Sequence, residues 1–172
     1  MRAALIACVL PLFVPAEAMA QDDACGRFSW AMGREIDLFD EPLPTLESSL
    51  SLPKEGVFAL ILKPMADVIY PVTPPRGSDG SYGGYVTIES VQAGRYQIAV
   101  SEDAWVDAAQ DNVLLATLAP ELTKAGARGC AGVRRSVQFD AKGDSLTIEI
   151  SGARVPRINV ALLRIWPFEW KW

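Results

Sequence analysis

Between Gly84 and Ala108 the chain alternates apolar and polar positions. Val86 and Ile88 sit among Tyr85, Thr87 and Glu89, and Tyr96, Ile98 and Val100 sit among Arg95, Gln97 and Ala99. A period of two places alternate side chains on opposite faces of a sheet, so both runs read as strands. Gly94, next to Val91-Gln92-Ala93, supplies turn chemistry between them. The pattern predicts a hairpin that sets Val86 against Val100 and Ile88 against Ile98. A shift by two positions keeps the apolar faces together, and a shift by one does not. The next run, Ala104 to Ala108, divides into Ala104, Val106 and Ala108 on one face and Trp105 and Asp107 on the other. If Trp105 points inward, Asp107 goes with it and needs a partner. If it points outward, an indole and a carboxylate share the surface.

Further strands follow the same logic. Val57 to Leu62 is an apolar run between Gly56 and Pro64, and Val68 to Val72 is a shorter one. Val137 and Phe139 precede Leu146, Ile148 and Ile150, with Lys142-Gly143-Asp144 as the turn of a second predicted hairpin. Arg157 to Ile165 is apolar on both faces, as in a strand covered on two sides. A short helix is predicted from Trp30 to Phe39, capped by Ser29, with Ile36 and Phe39 on one side and Gly33 weakening it. Residues 45–52 are ambiguous, and Val113 to Leu118 fits strand or helix. The segment 71–84 holds three prolines and four glycines and reads as a long exposed loop. Many short strands separated by Gly/Pro turns predict an all-β fold, an antiparallel β-sandwich or jelly roll with one short N-terminal helix.

The first residues change the picture of where this fold resides. Arg2, the apolar run Ala3 to Val14 and the small-residue site Ala18-Met19-Ala20 read as a secretory signal peptide over 1–20, cleaved between Ala20 and Gln21. A competing lipoprotein-like box, Leu5-Ile6-Ala7-Cys8, leaves too few residues ahead of it. Residues 21–172 then form one domain, in the periplasm or outside the cell. Two cysteines remain there, Cys25 and Cys130, and an exported chain with two cysteines predicts one disulfide. The net charge of −5 argues against a nucleic-acid partner, and no later run is long enough for a transmembrane span.

Chemistry is bounded mainly by a count: the chain contains no histidine. That removes Ser-His-Asp and Cys-His catalysis and His-ligated zinc, iron or copper. No G-x-S-x-G, P-loop or G-x-G-x-x-G occurs. No catalytic residue is assigned and no cofactor is expected, with one alternative. Glu102, Asp103, Asp107 and Asp111 form an acidic set whose oxygen ligands suit calcium, although their spacing is not that of an EF-hand loop. A carboxylate-only hydrolase stays formally open. Arg128, Arg134 and Arg135 surround Cys130 and suit either an anion or nearby carboxylates. The aromatic tail Trp166 to Trp172 suits docking on an envelope surface or capping of the sandwich. For ligand binding the candidates are Trp105 and Asp107, with Tyr82 and Tyr85 beside the 71–84 loop.

Several segments carry a resemblance: SYGGYVTI at 81–88, AGRYQIAVSEDAWVDAAQD at 93–111, GARGCAGVRRSVQF at 126–139 and SLTIEISG at 145–152. They look like a family of small exported proteobacterial proteins whose members often carry the name homogentisate 1,2-dioxygenase. The resemblance implies that activity, which uses ferrous iron held by two histidines and a carboxylate. With no histidine here, no such ligand carries over. The strand order also resembles, more weakly, the jelly roll of bacterial pre-peptidase C-terminal domains. Together the residues lead to an exported, non-catalytic binding module of the cell envelope, its ligand a glycan or a protein. An enzyme of either kind named above, or a purely structural envelope protein, is the alternative. Oligomeric state is not written in the pattern.

Overall fold

The computed structural model describes residues 25, 28, 30–72, 76–118, 130 and 132–165. The expected signal peptide over 1–20, Ser29, Arg128 and the aromatic tail lie outside the described residues. Two sheets face each other. One orders β1 (Thr45–Glu47), β3 (Gly56–Ile61), β11 (Arg157–Ile165), β6 (Gly94–Val100) and β9 (Arg135–Ala141) side by side. The other orders β2 (Ser51–Leu52), β5 (Tyr82–Val91), β10 (Asp144–Ala153), β7 (Trp105–Gln110) and β8 (Val113–Leu114), with β4 (Lys63–Pro64) also paired to β5. The fold is the expected all-β sandwich with one short helix, α1 (Gly33–Phe39). Pairing is antiparallel except at two edges, β1–β3 and β2–β5, which are parallel. The ambiguous 45–52 segment supplies both edge strands, one to each sheet.

Both predicted hairpins are corrected. β5 pairs with β10 and β2, whereas β6 pairs with β11 and β9, so the two halves of each expected hairpin lie in opposite sheets. Val86 and Ile88 meet Ile98 and Val100 within one core, not within one sheet. Alternation is satisfied by either arrangement, because it says only that these side chains point inward. The chain arches between sheets at Gln92-Ala93 and at Lys142-Gly143. An arch gives up the ladder bonds that close a hairpin, and its backbone groups need other partners. The Tyr96 hydroxyl donates to Gln92 O at 3.0 Å and accepts from Gln92 N at 3.1 Å. Gln110 does the same for the second arch, accepting from Lys142 N at 2.8 Å and donating to Ser145 O at 3.2 Å.

Other segments shift less. The Val68–Val72 run is not a strand; a 3-10 turn, Met65–Asp67, precedes it and the run crosses the outer face of the six-stranded sheet. Val113–Leu118 contributes only β8 and a bridge at Leu118. The helix begins at Gly33, not Trp30, which puts the glycine at the first helical position where its low propensity matters least. Met32, Ile36 and Phe39 pack its inner side against Ala99, Ala161 and Leu163 on the outer face of β6 and β11. This explains why β11 is apolar on both faces: Ile158, Val160 and Leu162 enter the main core, while Ala161 and Leu163 lie under α1. The predicted disulfide joins Cys25 to Cys130 across a separation of 105 residues, with Cα atoms 4.8 Å apart, and ties the helical segment to the Val133 region. Among the described residues, no helix is long and apolar enough to cross a membrane.

Candidate functional site

The alternation of β7 decides the orientation of Trp105. Ala104, Val106 and Ala108 enter the core, and Trp105 and Asp107 face outward. Trp105 remains 45% exposed. Across the sheet, Ser151 of the central strand β10 lies opposite Trp105, and Glu149 lies opposite Asp107.

The segment that begins at Met65 is pinned over this face by a series of polar contacts. The Tyr70 hydroxyl donates to Ile150 O at 2.7 Å, and Val72 N donates to Glu149 Oε1 at 2.8 Å. Arg76 N donates weakly to Ser151 Oγ at 3.4 Å. Burial, aided by the Glu149 charge, pushes the Tyr70 phenol up to about 12. It therefore stays a donor at any ordinary pH. Close approach of this segment depends on glycines in the sheet beneath. A Cβ on Gly83 would meet the Tyr70 hydroxyl at 1.8 Å. A Cβ on Gly152 would meet Arg76 O at 2.8 Å and Trp105 Cδ1 at 3.2 Å, and Gly152 has φ +73°.

This crossing delivers Arg76 to the indole. Its guanidinium carbon lies 4.7 Å from the Trp105 ring centroid, and its Nη2 forms an ion pair with Asp107. A second guanidinium arrives from the opposite sheet. Arg135, at the start of edge strand β9, places its guanidinium carbon 4.9 Å from the same centroid and donates to Asp103 Oδ1 at 3.3 Å. A buried guanidinium needs compensation; the indole and Asp103 provide part of it, while Arg135 Nε is buried without a hydrogen-bond partner among the described residues. The result is a partly exposed tryptophan held by two arginines, each paired with an aspartate. Cation–π contacts of this kind contribute roughly 0.5–2 kcal/mol each, which favours one fixed ring position.

Of the sequence-derived binding residues, Trp105 and Asp107 stand together and Arg76 joins them from the 71–84 loop. Tyr85 shares their sheet face but lies two strands away, with Glu149 between it and Asp107. Tyr82 belongs elsewhere: it packs against the core cluster. The acidic set does not converge. Asp103 and Asp107 are engaged by Arg135 and Arg76, and Asp111 sits in the turn between β7 and β8 with φ +50°. Among the described residues, no group of three or more His, Cys, Asp or Glu could hold a metal. The donor set therefore does not fit a ferrous dioxygenase centre.

Two partners of Trp105 escape a sequence reading. Arg76 is the only basic residue between Lys63 and Arg95, and that isolation in a Pro/Gly-rich loop is the one available signal. The sequence groups Arg135 with Arg128 and Arg134 around Cys130, and its reach to Asp103 and Trp105 depends on how the two sheets stack. A scan against protein-family models and a search of curated proteins each found no match.

Proposed function

We propose that this chain is an exported binding module without a catalytic step, and that it takes a protein partner through the Trp105 surface. The observation that carries the reading is the half-exposed indole fixed by Arg76 and Arg135. Tryptophan and arginine are the residues most enriched among binding hot spots, and a pre-positioned ring loses little freedom on docking. The two cations over the indole favour a protein over a glycan, because a sugar ring stacks on a free aromatic face. Export is supported by the apolar leader and by the Cys25–Cys130 disulfide, a bond suited to an oxidising compartment. The absence of histidine, and the engagement of Asp103 and Asp107 in ion pairs, support binding over turnover.

Capture from the envelope fraction tests this. The wild-type chain and Arg95→Ala, whose side chain pairs with Asp140 within the five-stranded sheet, should retain the same partner. Trp105→Ala should lose it, and equal recovery by all three would overturn the proposal. A thermal-shift panel separates the other classes. A ligand at 100 times its Kd stabilises by about 2.7 kcal/mol, roughly 5–10 °C for a domain of this size. A shift with an envelope oligosaccharide would move the reading to a glycan. A shift with calcium would reinstate the acidic site, and one with ferrous iron and homogentisate would reinstate the dioxygenase.

A further inference from the structure

On the side of the sandwich away from Trp105, α1 covers polar residues. Leu163 on β11, Gln97 on β6 and Gln138 on β9 form one row across three paired strands. Alternation alone would send both glutamines to solvent, yet Gln97 is 4% and Gln138 8% exposed. Glu35, from α1, is 4% exposed. The three are linked: Gln138 Nε2 donates to Gln97 Oε1 at 2.7 Å, and Gln97 Nε2 donates to Glu35 Oε1 at 2.8 Å. The second carboxyl oxygen of Glu35 and the amide oxygen of Gln138 take no part in this chain of bonds.

The row opens onto a cleft of about 410 Å³. Its apolar walls come from Trp30, Leu163 and Ile165, and Glu35, Gln97 and Gln138 line it as well. The Trp30 indole is held in place by donation to Ser136 Oγ at 3.0 Å. Arg34, exposed, contributes a cation at the rim. A cavity of this volume, mostly apolar with a few convergent polar groups, has the make-up of a small-molecule site. A face built only for packing gains nothing from three buried polar side chains, since an apolar row would bury as much surface without needing partners.

We propose that this cleft binds a small molecule with an aromatic or aliphatic body, a carboxylate and a hydrogen-bond donor. The body lies between Trp30, Leu163 and Ile165. The carboxylate meets the Arg34 guanidinium, a charge-assisted and directional pairing. The donor, a hydroxyl for example, reaches the oxygens that the Glu35–Gln97–Gln138 chain leaves unused. Burial raises the Glu35 carboxyl above its ordinary value. This site stands independently of the Trp105 surface, on the opposite sheet.

The test is an NMR titration of the oxidised, isotope-labelled protein, following the side-chain amides of Gln97 and Gln138 and the Trp30 indole. The probes are 4-hydroxybenzoate, benzoate, phenol and benzylamine. The expected result is saturable movement of those three side chains with 4-hydroxybenzoate. Benzoate and phenol should each bind about tenfold more weakly, and benzylamine not at all. Arg34→Ala, an exposed substitution that leaves the packed face alone, should weaken 4-hydroxybenzoate about tenfold and leave phenol unchanged. Equal response to all four probes, movement of other residues only, or no response at millimolar concentration would overturn the proposal. So would binding that appears only after removal of residues 166–172, because the occupant would then be a segment of this chain.

Discussion

Replacing Gly152 with alanine should disturb the Trp105 surface from beneath. Gly152 has φ +73°, a left-handed conformation that disfavours a Cβ by roughly 1–2 kcal/mol. The added methyl would also stand 2.8 Å from the Arg76 carbonyl oxygen and 3.4 Å from Gly77 Cα. Both are backbone atoms, so relief requires the crossing segment to lift. Lifting it withdraws the Arg76 guanidinium from Trp105 and from Asp107. The stacking contributes about 0.5–1 kcal/mol at this exposure, and the solvated ion pair less than about 1 kcal/mol. The total is about 2–4 kcal/mol, or a fall in Tm of roughly 5–15 °C for a chain of this length. Thermal unfolding by circular dichroism measures the fall, and the Trp105 indole resonance reports loss of the stacked cation. Adding Trp105→Ala should restore only part of the stability, because the contact with Arg76 O remains. A Gly152→Ala protein that melts within about 2 °C of wild type, with an unmoved Trp105 resonance, would refute the reasoning.

Three other outcomes follow from the geometry. Reduction, or Cys130→Ser, frees a loop of about 100 residues; the chain-entropy estimate is up to about 4.7 kcal/mol, so Tm should drop by roughly 10–15 °C in a reducing melt. Burial raises the Glu35 carboxyl above the ordinary value of 4.5, so the unfolded chain releases that proton first as pH rises. Stability should therefore fall from the ordinary carboxyl range up to the raised folded value and then level off. Glu35→Gln should remove that component from the pH dependence of unfolding, and identical profiles would contradict the shift. The Tyr70 phenol, pushed up to about 12, should be among the last tyrosines to ionise in an alkaline absorbance titration. Its contribution is lost between the ordinary tyrosine value near 10 and that folded value. Tyr70→Phe, which leaves Ile150 O without this donor, should lower stability by about 1–3 kcal/mol in denaturant melts.

The sandwich was legible because period-two alternation is a strong signal of inward and outward faces, and β7 and β11 lie where it places them. The same signal is blind to which sheet a strand joins. Val86 and Ile98 share one core whether their strands are neighbours or face each other across it, so the two arches read as hairpins. The distinguishing feature was chemical: Tyr96 and Gln110 bring polar groups to the arches, but a single strand pattern does not say what they bond. That Trp105 and Asp107 share one face of β7 followed from alternation alone; which way that face turns did not. Arg76 and Arg135 could not be joined to them, because one depends on a loop crossing the sheet and the other on contact between sheets. Gln97 and Gln138 are the opposite case. Alternation places them on the face away from the main core, and only the position of α1, held near the Cys25–Cys130 bridge, covers that face.

The protein-docking role of Trp105 is most directly tested by the affinity of the captured partner for wild type and for Trp105→Ala. Truncating a central tryptophan hot spot removes 2 kcal/mol or more, so Kd should rise about 30-fold or more while the Arg95→Ala control is unchanged. An unaltered Kd for a folded Trp105→Ala protein would contradict that role and place the binding surface elsewhere on the sandwich.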